Sequence, residues 1–171
     1  MSRIAGSSTE VAIRDFRFRF VPLLSTLAAI GLALIPVVME TPLLPDFGFL
    51  VLITWRLLRP EIWPAQMALA LGLAADLVSG APLGQSMLLW TAAFLAFDFA
   101  DSLLGVRDYW LDWLLASAAL LFHSAGLWYI ALLMGSDVSF RIMVPQLALS
   151  ILAYPVAARL VLALDRWRLS R

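Results

Sequence analysis

The sequence predicts an all-α polytopic membrane protein with six transmembrane helices. Three observations carry that reading: the composition, the unbroken apolar runs and the placement of arginine. Of 171 residues, 63% are hydrophobic and 14% charged, with a mean hydropathy of +0.91. A water-soluble domain has about 45–50% apolar and about 25% charged residues, so both a soluble domain and a disordered chain are excluded. The apolar runs are continuous, whereas a β-barrel would show short alternating segments.

A helix crossing the hydrocarbon core needs roughly 20 apolar residues. The first run is Phe20–Met39. The second, Leu43–Leu58, is short and begins with Pro45 and Asp46, so a tilted or re-entrant arm is an alternative there. The third is Ile62–Val78, with Asp76 near its end, and the fourth is Leu83–Phe99. Leu111–Met134 and Ile142–Leu164 complete the six. Residues 1–19 form an N-terminal tail, mobile over 1–10 and then an Arg/Phe-alternating interfacial anchor. Residues 165–171 form a basic tail. The first run is too long for a signal-peptide core, and no cleavage site of small residues follows it.

Arginine sets the orientation, because positive charge stays cytoplasmic. With six spans, Arg3, Arg14, Arg17, Arg19, Arg56, Arg59, Arg107, Arg159, Arg166, Arg168 and Arg171 share one side, and only Arg141 lies on the other. Both termini are therefore expected in the cytoplasm.

Net charge is zero, so no basic excess suggests nucleic acid. The absence of cysteine and the single histidine, His123, exclude disulfides, thiolate metal sites and multi-histidine sites. No cofactor and no metal are expected. No internal linker is long enough for a soluble domain, so function must come from the bundle, its short loops or a partner.

The most informative stretch is Leu71–Ser86. Ala68, Gly72 and Asp76 share a face at i, i+4, i+8, which permits close helix approach. Ser79, Gly80, Ala81 and Pro82 make a tight turn, and Leu83-Gly84 opens the next span. Asp76 either caps the following helix across the turn, where the helix dipole favours an anion, or faces a ligand, proton or partner. Gln85, Ser86 and Gln146, with Asp76 beside them, could line an outward pocket; they could equally be interhelical hydrogen bonds. Asp98 and Asp101, with Asp108 and Asp112, have spacings that can hold Mg²⁺ against a diphosphate. Only Arg107 is at hand to meet a phosphate, so a solvated acidic loop is expected. No carboxylate lies at helical spacing from His123, which reads as a hydrogen-bonded histidine within the bundle. Trp63, Trp110, Trp113 and Trp167 suit a cytoplasmic aromatic belt.

From Pro45 to Ser86 the sequence runs through Pro45-Asp46, an apolar helix ending in an aromatic and basic stretch and Pro60, then Gly72, Asp76-Leu77, Ser79-Gly80 and Leu83-Gly84. On these residues it resembles the rod shape-determining protein MreD family. Tyr154-Pro155 before a basic tail also fits, while Trp55 stands where Tyr-rich sequence is expected. The resemblance implies a non-catalytic scaffold of the cell-wall elongation complex in the bacterial inner membrane. It implies MreC as direct partner, and MreB, a SEDS glycosyltransferase and a class B penicillin-binding protein as indirect ones. It also implies a fold similar to the substrate-binding membrane subunits of energy-coupling-factor transporters. That likeness supplies the rival reading, a small-molecule-binding transporter subunit. On the scaffold reading, the small-residue face of Ala68 and Gly72, with Gly80 and Gly84 at the turn, would receive a partner helix.

Overall fold

The computed structural model describes residues 8–34, 44–105 and 108–169, with the side chains of 8–19 and Ala33 excepted. Residues 1–7 of the expected tail, the end of the first apolar run, Leu43, Arg107 and the last two residues lie outside the described residues, as does Arg3. Among the described residues every regular element is helical. The elements are α1 (Ser8–Gly31) and a 3₁₀ turn (Leu32–Leu34), α2 (Phe47–Leu58), α3 (Ala65–Ser79), α4 (Gln85–Leu103), α5 (Tyr109–Leu133), a second 3₁₀ turn (Phe140–Ile142) and α6 (Val144–Leu169). Helix α1 runs through the expected tail–span boundary, since no Gly or Pro interrupts Ser8–Phe20. Three helical stretches, Gln85–Leu103, Tyr109–Leu133 and Phe140–Leu169, are long and apolar enough to cross a membrane. Phe20–Gly31, Phe47–Leu58 and Ala65–Ser79 are shorter apolar helices.

The shortest helix is the centre. Nine of the twelve residues of α2 are buried, and it packs against α1, α4, α5 and α6. Phe49, Leu52, Ile53 and Trp55 are wholly inaccessible. The remaining helices close round it in the order α1, α3, α4, α5, α6. A twelve-residue helix is only about 18 Å long, short of the ~30 Å hydrocarbon core. Its polar ends can lie at membrane depth because protein, not lipid, surrounds them.

Between apolar helices in lipid the hydrophobic effect gives little net drive, so close packing and polar pairs decide the arrangement. The tightest contact joins α3 to α4. A Cβ placed on Gly72 would stand 2.6 Å from Met87 Cα and 2.7 Å from Met87 N, so only glycine permits this backbone-to-backbone approach. Ala68 is completely buried on the same face. That small-residue face, expected to receive a partner helix, is therefore covered within the chain itself, at Gly72 by α4.

A proline inside a helix leaves the carbonyl four residues before it without a backbone donor, and hydroxyls near a proline also bond back to the preceding turn. Pro155 has no N–H for the Ile151 carbonyl; Trp113 Nε1 donates to it at 3.2 Å, tying α5 to α6. In α1, the hydroxyls of Ser25 and Thr26 donate to the Pro22 carbonyl at 3.0 and 2.9 Å. Ser25 in turn accepts from Trp55 Nε1 at 2.9 Å, fastening α1 to the core helix. Trp63, placed in the aromatic belt by its sequence position, is buried, while Trp110 and Trp167 are exposed.

Candidate functional site

Helix α2 carries a carboxylate at its start and two arginines at its finish, and each end organises a different site. At the start, Asp46 is the N-cap: its Oδ1 accepts from the Phe49 backbone N–H at 3.0 Å. This satisfies one of the donors a helix start leaves open. Its Oδ2 lies 3.1 Å from His123 Nε2 on α5. The imidazole stacks on Phe49 with centroids 4.3 Å apart. His123 is 3% exposed, and its Nδ1 has no hydrogen-bond partner among the described residues.

A cavity of about 430 Å³ opens beside this pair. It is bounded by the C-terminal parts of α1, α3 and α5 and the N-terminal parts of α2, α4 and α6. Pro45, Asp46, Ser79, Gln85, Ser86, His123 and Gln146 contribute to its wall, with Ile30, Leu32 and Leu127 among the apolar residues. The three residues expected to form an outward pocket are thus brought together, 61 positions separating Gln85 from Gln146. Asp76, expected beside them, is not in the wall. Ser150, one turn after Gln146, is buried and donates its hydroxyl to the Gln146 carbonyl at 2.7 Å.

Asp76 is completely buried beneath the start of α4. Its Oδ1 accepts from Ser86 N at 2.8 Å and its Oδ2 from Gly84 N at 2.9 Å, with Met87 N at 3.5 Å. Its own carbonyl accepts from the N–H of Gly80 and of Ala81. The carboxylate meets the positive end of the α4 dipole and its open donors together. Gly80 (φ 67°) and Gly84 (φ 96°) supply the left-handed backbone that brings the chain round. Of the two readings of Asp76, the structure shows the cap. Leu83 points outward, 71% exposed.

At the other end of α2 the charges close on one another. Arg56, buried in the last turn, donates to Asp98 at 2.5 Å and Asp101 at 2.9 Å, both on α4. Its guanidinium lies 5.9 Å from the Phe94 ring centroid and 6.0 Å from that of Phe97. Arg59 donates through Nε and Nη2 to Asp165 Oδ2 at 2.9 and 2.6 Å. Asp165 Oδ1 accepts from Arg168 Nε and Nη2 at 3.0 and 2.7 Å, and Arg168 sits over the Trp55 ring at 5.6 Å. Hydrogen bonds from Arg59 to the Asp165 carboxylate push the Arg59 pKa above its already high ordinary value. The expectation of a solvated acidic loop is thereby corrected for Asp98 and Asp101, which clamp α2 to α4. Asp108 is the N-cap residue of α5. Sequence spacing missed all three long-range pairs; the available signal was that Arg56 continues the apolar helix without a break.

A bundle with one end locked by ion pairs and the other hollow defines the class: an integral, polytopic, all-helical membrane protein. The sequence model of the rod shape-determining protein MreD matches residues 14–164. The chain belongs to that family, which acts in cell shape, the rod complex and peptidoglycan elongation. It is a family of structural, shape-determining proteins and not a known enzyme family. No curated protein and no solved structure matches the chain, so the expected likeness to energy-coupling-factor subunits finds no support there.

Proposed function

We propose that the chain is a non-catalytic scaffold of the cell-wall elongation complex in the bacterial inner membrane. It crosses six times with both termini in the cytoplasm and binds MreC through a membrane helix. Through MreC it meets MreB, a SEDS glycosyltransferase and a class B penicillin-binding protein indirectly. The family match over residues 14–164 is the observation that carries this reading. The orientation is supported by charge: Arg56, Arg59, Arg159, Arg166 and Arg168 belong to one end of the bundle and Arg141 to the other. Short α2 can count as a span because the surrounding helices shield its ends from lipid. Since Ala68 and Gly72 are covered within the chain itself, the MreC helix meets another face. Pro45, Asp46, Gly72, Asp76, Ser79, Gly80, Leu83 and Gly84 then serve to build the α2 start and the α3–α4 hairpin.

The rival reading, a small-molecule-binding subunit of an energy-coupling-factor-type transporter, draws on the cavity beside Asp46. Affinity purification of the tagged protein from native membranes in mild detergent, with mass spectrometry, separates the two. Co-elution of MreC with wall-synthesis enzymes supports the scaffold. Co-elution of ABC-type ATPases without MreC contradicts it.

A further inference from the structure

We infer that the cavity beside Asp46 is a binding site for a primary ammonium group carried on an apolar stem. Its volume, about 430 Å³, falls in the roughly 300–1,000 Å³ range of small-molecule sites. Its charge is one-sided. Among the described residues the lining includes a carboxylate, an imidazole, two carboxamides and two hydroxyls, but no arginine, and the chain has no lysine. An anion would meet no cation there except through His123, which already faces Asp46.

Open acceptors are at hand. A carboxylate offers about four lone-pair sites; Asp46 accepts from Phe49 N and meets His123, and its side chain stays 36% exposed. The side chains of Gln85 and Gln146 make no hydrogen bond among the described residues, and each offers a carbonyl oxygen. An ammonium has three donors and no acceptor, which complements this set. The apolar stem has Ile30, Leu32 and Leu127 to lie against. The same ammonium could arrive as a free amine or as the headgroup of phosphatidylethanolamine. This inference stands on the cavity and does not require the MreC reading.

The test uses the full chain in nanodiscs of phosphatidylcholine and phosphatidylglycerol, neither of which has a primary ammonium. In one arm 2-phenylethylamine is titrated against thermal unfolding, with 2-phenylethanol and phenylacetate as matched controls. In the other, phosphatidylethanolamine replaces part of the phosphatidylcholine. The expected result is a dose-dependent rise in the unfolding midpoint with the amine alone, with the lipid alone, or with both, the responding arm naming the source. Asp46→Asn keeps a helix-capping side chain, so its unliganded midpoint should stay close to the parent's while apparent affinity falls at least tenfold. Gln146→Leu should weaken binding independently of Asp46. The inference is overturned by no response in either arm, by equal stabilisation from the alcohol or the acid, or by an undiminished response in Asp46→Asn.

Discussion

The two ends of α2 solve the same problem in opposite ways. Both put charge at the end of a helix too short to reach bulk water by itself. At the arginine end, Arg56, Arg59 and Arg168 are matched by Asp98, Asp101 and Asp165. The cavity there, between Arg59, Trp63 and Arg168, is lined by arginines already bonded to Asp165. At the Asp46 end a single carboxylate meets a single histidine, and polar side chains face open space. One end of α2 commits its polar groups to the fold, and the other leaves some of them facing the cavity.

The comparison breaks most visibly at Asp165. This carboxylate is 5% exposed and accepts from two guanidiniums, and removing one side of a buried ion pair costs about 3–5 kcal/mol. Asp165→Ala should lower stability by about that much, seen as a large drop in the unfolding midpoint in detergent. Next comes Gly72→Leu. Its side chain must enter the α3–α4 backbone contact, and overpacking of that kind costs about 1–3 kcal/mol or more. The unfolding midpoint should fall and the α3–α4 hairpin should become accessible to proteolysis, whether or not a partner is present.

A smaller effect is expected at Asp98, whose side chain is 55% exposed while Asp101 still holds Arg56. Asp98→Asn should cost no more than about 1 kcal/mol, as exposed pairs do. The smallest is Asp46→Asn, which retains the cap and should change the stability of the unliganded protein by only about 0.5 kcal/mol. A large loss there would show the Asp46 end to be as structural as the arginine end.

What could be read from the sequence follows the range of the contacts. The membrane class came from composition, and the Asp76 cap was legible because its donors lie 8 and 10 residues away, across one glycine-bracketed turn. The small-residue face was visible as a surface, but its occupant was not, since Ala68 and Gly72 show only that something comes close. Asp46 and His123 are 77 positions apart, Arg56 and Asp98 are 42, and Arg59 and Asp165 are 106. No helical spacing links such residues; only the ring of helices round α2 does. For the same reason Arg56 reads as a loop arginine from its place near Pro60, although it is buried in the last turn of the core helix.

The proposed orientation puts the hollow end of the bundle outward and the locked end toward the cytoplasm. The chain contains no cysteine, so single-cysteine variants report position without background. Ser79→Cys stands at the hollow end and Glu61→Cys at the locked end, both at exposed positions. Each would be treated with a membrane-impermeant maleimide in cells whose outer barrier has been opened. In that orientation Ser79→Cys is labelled directly and Glu61→Cys only after the inner membrane is permeabilised. The reverse pattern, or direct labelling of both, would contradict it.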